Sequence, residues 1–174
     1  MIATFSHQLV NGLEPKIEID AELPLIYVND LAAAIWRIIE KRETAQELEI
    51  QETATAKVTD LLARLAAFKK SYMTEGFIPD LAEYFDLCLF NTFRSYLPQD
   101  FFPRQYTLHA DNRGHFIELV KTINGGQTSF STTRPGITRG NHFHTRKVER
   151  FMVIKGQTEI RLRRIGSDQV ISYQ

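Results

Sequence analysis

The side chains best suited to chemistry fall within residues 136–156, GITRGNHFHTRKVERFMVIKG. His142 and His144 stand two apart, and Glu149 follows five positions after the second. Glycines bracket them in the spacing Gly136-x5-His142-x-His144-x4-Glu149-x6-Gly156. On an extended strand, residues i and i+2 point to one face, so both imidazoles can project the same way. A short turn lets Glu149 return from a following strand to meet them. Two imidazoles and a carboxylate suit Zn²⁺, Fe²⁺, Mn²⁺ or Ni²⁺ and leave positions open for a substrate. His142, His144 and Glu149 are therefore candidate metal ligands, with Zn²⁺ the first choice of ion. The bland alternative is a polar strand face. Histidines on strand surfaces are common, but the full spacing with its two glycines is more specific than a lone His-x-His.

The elements that must position these residues change character along the chain. The first part reads as α/β. Ile2, Phe5, Leu9 and Val10 have helical spacing, and Gly12 can end that helix. Ile17–Ile19 alternates as a short strand would. Leu25–Val28 is a continuous apolar run, as in a strand buried on both faces. Asn29 or Asp30 then caps a helix from Leu31 to about Arg42. Leu48–Gln51 reads as another strand. Residues 57–73 form an amphipathic helix with Val58, Leu61, Leu62, Leu65 and Phe68 on one stripe. Phe85 to about Tyr96 is a further helix, ended by Pro98.

After Asp100 short runs alternate with turns, the pattern of an antiparallel β sandwich or barrel. The strands expected are 106–108, 115–120, 128–132, 149–154, 159–164 and 170–173. The turns fall at 111–114, 124–126, 155–157 and 166–168. The fold class expected is α+β, with residues 1–96 and 101–174 as its two parts. A closed small barrel needs about eight strands, and the first part shows no Gly-rich nucleotide turn. The sequence therefore reads as a fragment of a larger protein, with both parts incomplete.

Bulk composition excludes several classes. Hydrophobic residues make up 43% of the 174 and charged residues 24%, a globular composition. Lys+Arg and Asp+Glu are both 21, so no global basic excess points to nucleic acid. The basic run Arg161–Arg164 reads as the solvated face of a strand. The single cysteine, Cys88, reads as a small buried hydrophobe, and no internal disulfide can form. No apolar run approaches the ~18 residues of a membrane span, and no signal peptide opens the chain. A cytoplasmic protein is expected.

The histidine stretch resembles the first conserved motif of the cupin superfamily at every fixed position. A second cupin motif, with a further histidine ligand, would lie beyond Gln174. The segment from Arg134 to His144 is similar to the same region of bifunctional capsular-polysaccharide enzymes. Those enzymes join an extended short-chain dehydrogenase/reductase domain to a C-terminal cupin. MIATFSHQLVNGLEPKIEI, LIYVNDLAAAI, SYLPQDFF, DNRGHFIELVKT and GQTSFSTTRPGITRGNHFH carry the resemblance over nearly the whole chain. Residues 1–96 then correspond to the end of the reductase domain and residues 101–174 to the first part of a cupin (double-stranded β-helix).

The resemblance implies a function. In that family the cupin epimerises C3 of a UDP-4-keto-6-deoxy-N-acetylhexosamine, and the reductase half reduces the 4-ketone with NADPH. A homodimer is expected of the whole protein, with the UDP-sugar as its small-molecule partner. Arg139–His142 and Asp111–Glu118 also resemble motifs of dTDP-sugar 3,5-epimerases. There the histidine matching His142 is the base, and the arginines matching Arg113 and Arg139 contact the nucleotide sugar. The chemistry is consistent with those types. A C–H beside a ketone is acidic once its enolate is stabilised, and a positioned base can then take the proton. Planar guanidinium groups pair well with a diphosphate. A ring nitrogen that holds an ion cannot also take a proton, so the two roles of His142 compete. Tyr27–Asp30 resembles the YVDD segment of extended dehydrogenases, where the aspartate has a structural role. The catalytic Tyr-x-x-x-Lys pair and the GxGxxG turn of such enzymes do not occur here, so the chain alone is expected neither to bind NADPH nor to reduce a ketone. The competing readings are a metal-binding cupin without turnover and a dimerisation piece with an inert cupin.

Overall fold

A computed structural model describes residues 1–42 and 47–174. They divide into two compact units, Met1–Ile137 and Thr138–Gln174. The architecture is α+β, with helices and small antiparallel sheets.

Three helices build the core of the first unit. Helix α1 spans Ile2–Val10 and stops at Gly12, whose φ of +73° an L residue rarely adopts. Helix α3 spans Val58–Phe68 and runs on into a π-helical turn, Lys69–Thr74. Helix α4 spans Tyr84–Arg94. Phe5 and Leu9 of α1, Val58, Leu61, Leu65 and Phe68 of α3, and Leu89, Phe90 and Phe93 of α4 form one buried cluster. The stripe read from residues 57–73 is thus the core face, with Leu62 packed half-buried beside it. Phe68 meets Phe90 edge-on at 5.2 Å between ring centroids. Cys88 is buried, as its apolar neighbours imply.

Several elements shift from their expected places. Strand β1 is Glu22–Leu25 and pairs antiparallel with β2, Ala54–Lys57. The segments 17–19 and 48–51 are not strands. Leu25–Val28 is not a strand buried on both faces: β1 ends at Leu25, and Val28 already begins a helix with its side chain exposed. That helix, α2, spans Val28–Lys41, so Asp30 lies in its first turn rather than at its cap. There the carboxylate complements the positive end of the helix dipole. Its Oδ1 accepts a 2.7 Å hydrogen bond from the Tyr84 hydroxyl. Helix α2 buries none of its residues, and Ile35, Trp36 and Ile39 are exposed.

The first unit also holds a three-stranded antiparallel sheet. Its strands are β3 (His109–Asp111), β4 (Gly114–Lys121) and β5 (Gln127–Thr133), in the order β3-β4-β5. The expected strand 106–108 lies three residues further on, because the Asp111–Gly114 turn fixes where pairing begins. The register shifts between Glu118 and Val120, a bulge that precedes the β4–β5 turn. That turn is tied to the helical part by backbone bonds. Ile78 donates to the Lys121 carbonyl at 2.8 Å, and Ile123 donates to the Ile78 carbonyl at 3.0 Å.

The second unit contains one hairpin, β6 (Ile160–Arg163) with β7 (Val170–Tyr173), paired antiparallel. The run 161–164 lies on its exposed face, as expected. Residues 149–154 are irregular rather than a strand.

Candidate metal centre

The stretch that carries His142, His144 and Glu149 is irregular backbone, not the pair of strands expected. Side-chain alternation therefore does not bring the three together. The local reason lies just upstream. Gly140 has a φ of +98° and Asn141 a φ of +61°. Glycine takes the left-handed region freely, and asparagine is among the few side chains that tolerate it. The Gly-Asn pair bends the chain immediately before His142. Gly156 (φ +91°) provides a second turn after the ligands.

The three side chains converge all the same. One ligand atom from each of His142, His144 and Glu149 lies within 4.8 Å of the others. His144 Nε2 is 3.1 Å from Glu149 Oε1. The two imidazoles meet edge-on, with centroids 4.8 Å apart and planes at 71°. Zn²⁺ takes nitrogen and oxygen donors at about 2.1 Å, which places tetrahedral ligand atoms roughly 3.4 Å apart. The His144–Glu149 pair already fits that spacing, and the remaining donors need to close by about 1.4 Å at most. All three residues are exposed, so the side chains can close without repacking a core. The donor set fits a divalent ion with open positions.

Arg113 and Arg139 belong to different compact units. Arg113 sits in the β3–β4 turn and is engaged by Asp111. Its Nε and Nη2 donate to Asp111 Oδ2 at 2.8 and 2.5 Å, and its backbone N–H donates to Oδ1 at 2.8 Å. This fork holds the Asp111 carboxyl at about 2, with the side-chain bonds the largest cause, and raises the Arg113 guanidinium further. The sequence offered this as Asp-x-Arg within a turn, where an aspartate commonly bonds the backbone two residues on. Arg139 is half-buried, directly before the Gly140–Asn141 bend.

Glu118 accepts from Gln127 Nε2 at 2.7 Å and pairs with Lys121 at 2.5 Å. These bonds lower its pKa, Lys121 being the largest cause. His115 Nδ1 lies 3.1 Å from Thr132 Oγ1.

With this geometry in view, the chain can be placed among known proteins. The polysaccharide biosynthesis C-terminal domain matches residues 109–174. A UDP-2-acetamido-2,6-β-L-arabino-hexul-4-ose reductase from Pseudomonas aeruginosa is 34% identical over 169 residues, covering 94% of this chain and 44% of the relative. The crystal structure of CapF with the inhibitor 3-isopropenyl-tropolone superposes with a TM-score of 0.83 at 34% identity, over 99% of this chain and 51% of that one. The capsular polysaccharide assembling protein CapF from Staphylococcus aureus gives 0.77 at 34% identity, over 99% and 47%. The chain thus spans about half the length of the relatives it matches. Its residues 109–174 match the polysaccharide biosynthesis C-terminal domain, and its similarity to these capsular-polysaccharide proteins runs along nearly the whole of this chain.

Proposed function

We propose that this chain carries the metal-binding epimerase site of a nucleotide-sugar enzyme of capsular-polysaccharide or O-antigen synthesis. The observation that carries the reading is the convergence of His142, His144 and Glu149 within 4.8 Å. The substrate class is a UDP-4-keto-6-deoxy-N-acetylhexosamine, in keeping with the 4-keto UDP-sugar named for the Pseudomonas relative. Residues 101–174 form the cupin part, and residues 1–96 close a short-chain dehydrogenase/reductase domain. Reduction of the 4-ketone with NADPH is assigned to the additional length of the relatives.

In this reading the site acts on the C3–H beside the ketone. An ion held by the three ligands would supply a Lewis acid for the developing enolate oxygen. His142 has one of two roles: as the base it takes the C3 proton and His144 and Glu149 alone would hold the ion, and as the third ligand it leaves the proton to another group. Arg113 and Arg139 are each a candidate for pairing with the diphosphate. Arg113 brings a guanidinium already oriented by Asp111, which limits the rotamer freedom lost on binding. The inhibitor of CapF lends support from ligand chemistry. A tropolone presents two adjacent oxygens, the donor pair of a bidentate chelator, and a three-ligand ion leaves room for such a pair.

The test is isotope exchange at C3. A protein spanning the length of the relatives is incubated in D₂O with the UDP-4-keto sugar. Deuterium is expected at C3, and His142→Ala abolishes its incorporation. Metal analysis of the same variant assigns the role: retained metal marks His142 as the base, lost metal marks it as a ligand. Absence of exchange in the unsubstituted protein overturns the proposal.

A further inference from the structure

The charge of this chain is unevenly divided. Overall it is neutral, yet residues 138–174 hold eight Lys and Arg against three acids, Glu149, Glu159 and Asp168. That unit is therefore +5. Three of its cations, Arg146, Lys147 and Arg150, interleave with the candidate ligands in HTRKVER, residues 144–150. All three are exposed, and none forms a hydrogen bond or ion pair with a described residue. The neighbouring acid, Glu149, is turned to His144 instead.

Chain geometry bounds how far the backbones that carry these charges are from those of the ligands. Consecutive Cα atoms are about 3.8 Å apart. The Arg150 backbone is thus about 3.8 Å from that of Glu149, and those of Arg146 and Lys147 are within about 7.6 Å of His144 and Glu149 respectively. At physiological ionic strength the screening length is about 8 Å, comparable to these backbone separations, so the three flexible side chains can bring their charges within reach of the site.

These charges oppose a bare cation. Two neutral imidazoles and one carboxylate leave a divalent ion with a net charge of +1, and the three side chains add to it. We propose that a divalent ion and an oxyanion bind this loop cooperatively, the anion relieving the repulsion that Arg146, Lys147 and Arg150 impose on the ion alone. The inference rests on the metal reading of His142, His144 and Glu149 and adds a partner to it: a dianionic oxygen ligand of the phosphate class. Through water, three such repulsions weaken ion binding roughly fivefold at physiological salt and more at low salt. Coupling is reciprocal, so the ion strengthens anion binding by the same factor.

The test uses the full chain, Co²⁺ as the ion and sulfate as the anion, since sulfate associates only weakly with divalent ions in water. Co²⁺ affinity is read from its visible absorption, with and without sulfate, at ionic strength matched with chloride. Sulfate is expected to tighten Co²⁺ binding about fivefold, an effect that fades as sodium chloride is raised. The triple variant R146Q/K147Q/R150Q is expected to bind Co²⁺ roughly fivefold more tightly without sulfate and to lose most of the sulfate response. Co²⁺ binding indifferent to sulfate at low salt overturns the cooperativity and leaves the metal site standing. No Co²⁺ binding under either condition, in a chain with native circular dichroism, removes the metal site and the inference with it.

Discussion

The Arg113 guanidinium is forked onto the Asp111 carboxylate, with Nε and Nη2 at 2.8 and 2.5 Å from the same oxygen. The second oxygen accepts the Arg113 backbone N–H, so one carboxylate fixes both the turn and the side chain. The carboxyl is held at about 2, against the ordinary value of about 3.9. For an acid lowered on folding, the stabilisation is present above the ordinary value and is lost as pH falls through about 2. A ¹³C NMR titration should therefore place the Asp111 midpoint near 2, and Arg113→Gln should return it towards about 4. A midpoint near 4 in the unsubstituted chain would show that the fork does not persist in solution.

The metal cluster predicts a different response. Glu149 is the one anionic donor among the three candidate ligands. Its replacement, Glu149→Gln, keeps shape but removes the charge that offsets the ion. Loss of a supporting partner of a metal ligand alone costs 10–100-fold in affinity, so loss of a ligand should cost at least about 100-fold. Competition for Zn²⁺ with a chromophoric chelator measures it. The circular dichroism should be unchanged, because all three residues are exposed. Equal Zn²⁺ affinity in both proteins would place the ion elsewhere.

How much of this was legible in the sequence depended on how local the cause was. Helices α1, α3 and α4 followed from apolar spacing, because the residues at i, i+3 and i+4 are the ones that pack: Leu61, Leu65 and Phe68 all enter the core. Strands fared less well where pairing rather than pattern decides. Ile17–Ile19 and Leu48–Gln51 alternate correctly but have no partner among the described residues, while the less apolar Ala54–Lys57 pairs with Glu22–Leu25. The site was legible for another reason than the one given. Alternation on a strand was the expected cause of convergence, yet His142 and His144 lie on irregular backbone. The left-handed Gly140–Asn141 bend was visible in the letters but not what it did. The fork of Arg113 onto Asp111 needed the turn to close before it could form.

The helical core and the surface of α2 make opposite predictions for apolar side chains. Leu65 and Phe93 are fully buried, whereas Trp36 is 61% exposed. Leu65→Ala should destabilise the chain by ~2–5 kcal/mol and Phe93→Ala by ~3–5 kcal/mol, through lost burial and the cavity left behind. Trp36→Ala, although it removes the only tryptophan and the largest side chain of α2, should stay within about 0.5 kcal/mol. Urea unfolding followed by circular dichroism separates them. A large loss from Trp36→Ala would mean that the α2 face is covered in solution.

Tyr84 and Asp30 give a prediction at high pH. The Tyr84 hydroxyl donates to Asp30, and that bond, the largest cause, raises its pKa above the ordinary phenol value. A group raised on folding contributes stability below its ordinary value, about 10 here, and loses it as pH climbs through the raised one. In a spectrophotometric titration of the six tyrosines, one phenol should ionise last, and Tyr84→Phe should remove that final step. A Tyr84→Phe curve that loses an early step instead would show the Asp30 bond to be absent.

Gly114 gives the sharpest steric prediction. Its φ of +144° is foreign to L side chains, and it pairs across the sheet with Thr133. A Cβ built there would lie 2.9 Å from the Thr132 carbonyl carbon and closer still to its oxygen. Both atoms are backbone, so no rotamer change relieves the clash. Gly114→Ala must therefore separate β4 from β5 at the end next to the Arg113 turn, or change its own φ and unwind that turn. Either route also disturbs the Asp111–Arg113 fork. The cost should exceed the ~1 kcal/mol by which glycine is ordinarily disfavoured against alanine inside a strand, and its sign is opposite. Hydrogen exchange should show faster exchange across 114–121 and 127–133, with the amides of α3 still protected, because the Leu61–Phe93 core does not include Gly114. Unchanged exchange in both strands would mean that the hairpin tolerates a side chain there and that its register differs from the one described.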